Sequence, residues 1–422
     1  MKWLDRLQHR FANVPLIAYG LAATSFINRM GGTAKLFMAL YLHEALGFDL
    51  TTVGGLLTIY GAGLLAGSFG VSVLTDWFSA RKLMLWSLLG SALGLVILCG
   101  VTTVPTLAVA LLFGGLVDGG YRPAMQRVMM QSCEPLVRIH AQSLQRVAVN
   151  LGFGMGGLVG GWFAEFDYRY VFVADAATSI AAAVFLQWAF ARADERVLVQ
   201  ATPAKIADER WPYSDVPFIT FMLACLLLAT IYAQSESTMT NYLREYFLLS
   251  PKWIGATFAL NGLMVAVLQI PLTLRTEFWP QRWTMMAGAA TLTLGFAILP
   301  LGAGLGETAC ILMAMLSTAI YTTGEMLLMP PQLALVMQRA DAGRAGHYLA
   351  LYNGIWGGRT MLAPLLGNTV YDRFGGDAVW LLCSVLGALA LLLQYRAIGK
   401  MQQTANQAEY SLTKSCAAVA TR

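Results

Sequence analysis

Residues 41–61 read YLHEALGFDLTTVGGLLTIYG, and residues 242–262 read YLREYFLLSPKWIGATFALNG. At a shift of 201, Tyr41-Leu42-x-Glu44 falls on Tyr242-Leu243-x-Glu245, Val53-Gly54 on Ile254-Gly255, and Gly61 on Gly262. Shared apolar composition rarely gives three matches at one shift. A second set follows at a shift of 207: Asp118 falls on Glu325, Pro123 on Pro330, Gly156-Gly157 on Ala363-Pro364, and Gly160 on Gly367. The chain therefore reads as two copies of one unit, with a small insertion between the second and fourth helices of the later copy.

Each copy is a membrane unit. Of 422 residues, 57% are hydrophobic and 12% charged, where a soluble domain carries roughly a quarter charged residues. The mean hydropathy is +0.59, and 41 glycines supply the small residues that let membrane helices approach closely. A span needs about 20 apolar residues. Such windows fall at 16–41, 52–75, 83–101, 106–130, 141–164 and 170–190, here spans 1 to 6. Six more follow at 217–242, 253–274, 283–302, 308–337, 348–371 and 378–395, spans 7 to 12. The expected fold is all-α, with twelve transmembrane helices in two pseudo-symmetric six-helix bundles. The expected domains are an N-terminal bundle at 1–190, a cytoplasmic loop at 191–215, a C-terminal bundle at 216–400 and a tail at 401–422. That tail is polar and without periodicity, and is expected to be disordered.

The stretch after Pro15 is too long for a signal-peptide core and lacks a cleavage site, so it is span 1. With the N-terminus inside, the inner loops hold sixteen Lys and Arg residues, and the outer loops only Arg169, Arg244, Lys252 and Arg373. This bias places both termini in the cytoplasm. The expected setting is a plasma membrane, that of a bacterial inner membrane.

Several classes are excluded. The net charge of +5 is spread singly over short loops, which argues against a nucleic-acid partner. No GK[ST] follows a Gly-rich loop, and neither GxSxG nor HExxH occurs, so ATP-driven pumping and intramembrane hydrolysis have no visible machinery. The six cysteines are far apart and read as packing residues, with no metal site. No cofactor is expected, and the protein is not expected to be an enzyme. Its expected partners are a small-molecule substrate, protons and the lipid bilayer, and its expected state is a monomer.

Two motifs stand out. After span 2 comes Asp76-Trp77-Phe78-Ser79-Ala80-Arg81-Lys82, and in span 5 Gly152-xxx-Gly156-Gly157-xx-Gly160-Gly161. On these motifs and the repeat, the chain resembles the major facilitator superfamily over nearly its whole length, and within it the twelve-span drug:proton antiporters. The first motif looks like that family's D-R-x-G-x-R-K turn, with Trp77 and Ser79 departing from it. The resemblance implies that Asp76 caps a neighbouring helix while Arg81 and Lys82 bind acidic partners to latch the cytoplasmic side. The second is similar to the antiporter motif GxxxGPxxGG, with Gly157 in place of Pro. By itself that spacing also serves plain helix packing.

Ionisable groups inside a membrane are costly and mark function. Arg29, Asp118, Glu325 and Arg359 fall near the middles of spans 1, 4, 10 and 11, one acid and one base per half. Arg122 lies one turn inward of Asp118, Arg146 and Asn150 begin span 5, and Lys35 and Glu236 hold matching places in the outer thirds of spans 1 and 7. Asp118 is either a static ion pair with Arg122 or a proton carrier. Glu325 has no base within a turn, and an unpaired carboxyl in apolar surroundings can take up a proton near neutral pH. Acids in spans 7 and 10 also resemble the proton-carrying carboxylates of multidrug antiporters, so Glu325, Asp118 and Glu236 are the expected coupling residues. Arg359 is expected either to bind substrate charge or to pair with Glu325. Asp175, near the outer end of span 6, is expected to be interfacial. Tyr60, Tyr121, Tyr321, Trp356, Met326 and Met329 either pack or line an adaptable pocket. The expected substrate contacts are Arg29, Arg122, Arg146, Asn150, Arg359, Tyr121 and Trp356.

The first functional reading is a secondary exporter driven by protons. The second is a permease for an anionic metabolite such as a carboxylate siderophore, with the arginines as its ligands. A third is a lipid-handling or transport-dead receptor protein.

Overall fold

Spans 1 and 7 are where the backbone departs from plain helices. In the computed structural model, which describes residues 14–32, 34–74, 77–133, 135–192, 214–276, 278–339 and 345–420, span 1 forms α1 (Leu16–Gly31) and α2 (Ala34–Leu40), continued by a π-turn over Tyr41–Ala45. Span 7 forms α8 (Val216–Ala233), a 3-10 turn over Gln234–Glu236, and α9 (Thr238–Glu245). Between them run α3 (Leu50–Leu74), α4 (Ala80–Gly100), α5 (Val104–Ser132), α6 (Pro135–Ala164) and α7 (Tyr168–Arg192), which are spans 2 to 6. Spans 8 to 12 are α10 (Pro251–Thr276), α11 (Gln281–Ala297), α12 (Glu307–Arg339), α13 (Ala345–Phe374) and α14 (Gly376–Ala420). No strand occurs among the described residues.

Among the described residues ten helices are long and apolar enough to cross a membrane, and they coincide with ten of the twelve expected spans. The two outside that set are span 1, divided by its break, and span 11, which forms the 30-residue α13. The side-chain pattern is inverted relative to a soluble protein. Large apolar residues such as Leu93, Val109, Val184, Leu312 and Leu381 are exposed, while Thr24, Ser25, Asn261, Thr322 and Asn368 are buried. A lipid surface outside and hydrogen-bonded polar groups inside account for this arrangement.

The helix packing carries the repeat into space. In the first half α1 packs on α6 and α7, and α5 on α3 and α4; in the second, α8 packs on α13 and α14, and α12 on α10 and α11. The halves meet at two equivalent crossings, α3 with α13 and α6 with α10. The glycines shared at a shift of 201 sit at these crossings. A Cβ on Gly54 would lie 2.7 Å from the Pro364 carbonyl oxygen, and one on Gly255 would overlap that of Gly157. Backbone contact of this kind leaves no room for a side chain. We expect Gly255→Leu to force α6 and α10 apart. Spin labels on cysteines at Arg169 and Lys252, both exposed on the face away from Leu16, should report a longer distance in that variant, and an unchanged distance would refute the closing role of this crossing.

The tail is a correction. α14 runs on to Ala420, whereas the sequence reading has disorder from Met401. Five Ala and three Gln, both strong helix formers, lie in the segment 401–420, and it continues a helix that is already nucleated. Of the central loop, residues 193–213 lie outside the described residues. Asp215 caps α8, its carboxylate accepting the Phe218 N–H at 3.2 Å.

Candidate functional site

The break in span 1 has a cause in span 6. After Gly32 the helix restarts at Ala34, whose N–H donates to the Asp175 carboxylate at 3.2 Å. Asp175 is 5% exposed, so it is a buried group tied to the helix break and not the interfacial residue its sequence position suggests. A carboxylate at a helix start satisfies an N–H that has no partner within the helix. In span 7 the polar side chains come from nearby: Thr238 donates to the Gln234 side-chain oxygen at 2.6 Å, and the Gln234 amide nitrogen donates to the Ala363 carbonyl at 3.1 Å.

An ion pair ties each broken helix to its own half. Lys35 Nζ lies 2.9 Å from Asp118, which also accepts the Tyr60 hydroxyl at 2.6 Å. Asp118 therefore pairs across to span 1 and not with Arg122 one turn away, because α2 brings Lys35 against α5. In the second half the charges are reversed: Arg359 Nη2 stands 3.5 Å from Glu236. The expected pairing of Arg359 with Glu325 is replaced by this one. Arg359 is also flanked by the rings of Tyr232 and Trp356, at 5.2 and 4.7 Å. Its side chain is 12% exposed, and its Nε and Nη1 have no hydrogen-bond partner.

Two cavities flank the centre. The larger, about 770 Å³, is lined by Arg29, Lys35, Tyr60, Asp118, Tyr121, Arg122 and Asp175 among others. The smaller, about 360 Å³, is lined by Tyr232, Glu325, Met329, Gln332, Tyr352, Ile355 and Trp356 among others. Glu325 is 6% exposed, and Asn261 donates to it at 3.2 Å. Among the described residues no cation lies within ion-pair distance of it. Tyr121 shares a hydrogen bond with Ser25 at 3.2 Å. Arg146 donates to Gln269 across the bundle interface at 3.1 Å, and the Asn150 amide is committed to the Arg146 carbonyl at 2.8 Å. Those two residues thus join the halves and shape the helix, whereas Arg29 and Arg122 face a cavity.

The motif residues have structural partners. Arg81 donates to the Gln187 side chain and lies over Phe190, 5.4 Å from its centroid. Its partner is thus an amide of the same half, where the resemblance implies an acid. Ser79 caps α4, accepting the Lys82 N–H at 3.4 Å, and Asp76 lies outside the described residues. In α6, Gly152 faces α1 at Phe26, while Gly157 and Gly161 face α10, and Gly156 and Gly160 are buried.

In the sequence Glu44 and Glu245 stand out only as repeat markers. The structure joins them across the halves at the face away from Leu16. Arg244 Nε pairs with Glu44 at 2.6 Å, and His43 Nε2 with Glu245 at 2.9 Å. Tyr168 donates to Glu44 at 2.5 Å and Tyr371 to Glu245 at 2.8 Å. His43 Nδ1 is 2.7 Å from the Phe48 carbonyl. Both ring nitrogens therefore face acceptors, which only the imidazolium satisfies. The His43 pKa is raised above its ordinary 6.5, first by the hydrogen bond to Glu245 and further by the Phe48 carbonyl, with burial opposing. That of Glu245 is lowered: burial pushes it up, but the hydrogen bonds from His43 and Tyr371 together outweigh this.

A model of the Major Facilitator Superfamily matches residues 21–360 and 238–409. The uncharacterised MFS-type transporter YttB of Bacillus subtilis is 26% identical over 382 residues, covering 88% of this chain and 93% of that protein. The multidrug resistance protein MdtH of Klebsiella pneumoniae is 24% identical over 388 residues, covering 89% and 88%. A crystal structure of the peptide transporter POT superposes with a TM-score of 0.75 at 16% identity, covering 94% of this chain and 98% of that one, which shows a shared fold.

Proposed function

The chain belongs to the major facilitator superfamily, and from that premise we propose that this multi-pass membrane transporter is a proton-coupled exporter of small molecules in a bacterial inner membrane, with both termini cytoplasmic. The observation that carries the reading is the uneven treatment of the intramembrane acids. Asp118 and Glu236 each have a cation within reach, and Asp175 holds a helix start. Asp175 and Glu325 are both buried, line a cavity and have no cation within ion-pair distance among the described residues, but Asp175 is committed to a helix-start N–H whereas Glu325 accepts from the side-chain amide of Asn261. A buried carboxyl without a counter-charge is a group whose protonation can be set against another event. The name of the relative MdtH supports small-molecule efflux.

In this reading the two crossings and the ion pairs at Glu44 and Glu245 close the outer side, so the state described faces inward. Substrate enters the central cavity from the cytoplasm and favours loss of the Glu325 proton. The bundles rock about the midplane, and reprotonation from outside returns them. The test is purified protein in proteoliposomes with an imposed pH gradient. Uphill substrate movement that collapses with a protonophore is expected; movement indifferent to the gradient would overturn the coupling.

Arg359 positions this machinery, since it holds Glu236 beside the break in span 7. Changing Arg359 to Ala leaves that carboxylate without its cation and the Tyr232–Trp356 cradle empty. Transport is expected to fall at least about tenfold, in keeping with the loss of a charge-assisted contact, while the protein stays in the membrane. Near-normal flux in that variant would discard the role.

A further inference from the structure

We infer that the cargo is an organic anion: an oxyanion such as a carboxylate, held by Arg29 and Arg122 in the cavity they share. This rests on the transporter reading above and adds the chemistry of what is carried.

A cationic drug needs an open acid to bind. Asp118 is occupied by Lys35 and Tyr60, Glu236 by Arg359, and Asp175 by the Ala34 N–H. Glu325 is buried and accepts from Asn261. No carboxylate among these is left both open and uncommitted. The cations are in the opposite condition. Arg29 and Arg122 line the same cavity, and among the described residues neither has a carboxylate within ion-pair distance. Arg122 is exposed to that cavity although it sits in the middle of a membrane helix. Two guanidinium groups lining one cavity repel, and an anion between them turns that cost into binding. The same field disfavours a cation.

The test uses three probes of one shape on the purified full-length protein: 2-naphthoate, its neutral amide, and 2-naphthylmethylammonium. Binding is read by tryptophan fluorescence and, independently, by the shift in melting temperature. Naphthoate is expected to bind at least about tenfold more tightly than either of the others, the worth of one charge-assisted contact. Arg122→Gln and Arg29→Gln should each remove that preference, and Arg122→Lys should keep part of it, which separates lost charge from lost folding. Equal binding of the three probes, tighter binding of the ammonium, or a full preference in Arg122→Gln would each overturn the inference. Naphthoate flux in liposomes separates the two claims. Carboxylate selectivity without gradient dependence sinks proton coupling and spares the anion site, while gradient-driven flux of the ammonium alone does the reverse.

Discussion

In Glu325→Gln, substrate addition to the purified protein in weak buffer is expected to release no protons, while the parent releases them into a pH dye. Glutamine keeps the shape of the neutral acid and can accept the Asn261 hydrogen bond, so the fold and the cavity survive. What it removes is the choice between two protonation states. An exporter draws work from the gradient only when protonation and substrate favour different states of one bistable assembly. With the proton count fixed, binding should persist and uphill transport should vanish. Asp118→Asn is the control. It leaves the half-buried Lys35 facing an amide, so its main cost is expected in stability, because a partly desolvated charge without its partner is more expensive than the pair it came from. If the Gln variant still releases protons and the Asn variant does not, the coupling site is Asp118. If both release them normally, neither carboxylate couples.

The spans and the repeat were legible because hydrophobic length and Gly spacing are local properties. Even the matching of Lys35 with Glu236 could be read off. Their partners could not, because they depend on how each helix is rotated and where it breaks. Asp118 and Arg122 are ideally spaced for a pair within one helix, yet Asp118 faces α2. The break in span 1 is capped by Asp175 from 141 residues away, a contact that no window of sequence contains. Seen alone, Asp175 is a charge near the end of an apolar run. The π-turn at Tyr41–Ala45 likewise re-aims His43 and Glu44 toward the other half, which turns a repeat marker into a contact between bundles.

That contact supports the second large effect. The double variant Glu44→Gln, Glu245→Gln removes both carboxylates of the outer pairs, and the outer face is expected to open at every pH. The distance between spin labels at positions 169 and 252 should then shift from the short to the long population. In the parent the shift should depend on pH, with a sign fixed by His43. Its pKa is raised in the closed state and returns to about 6.5 once Glu245 has moved away. The pair therefore stabilises closure fully below about 6.5, and that stabilisation is lost as pH rises through the higher, closed-state pKa. The closed-to-open ratio should fall by at most about tenfold per pH unit across that window, the limit for one linked proton. The His43 side chain is 30% exposed, so solvent screening keeps the effect below that limit. His43→Gln should abolish the pH dependence while leaving the Arg244–Glu44 pair in place; a pH dependence that survived this change would exclude His43 as the sensor. The direction matters for the cycle. A proton arriving from outside favours outer closure without any substrate, as an exporter requires for its return step. A proton symporter that closed on the proton alone would leak its gradient, so pH-driven closure of the empty protein argues for exchange.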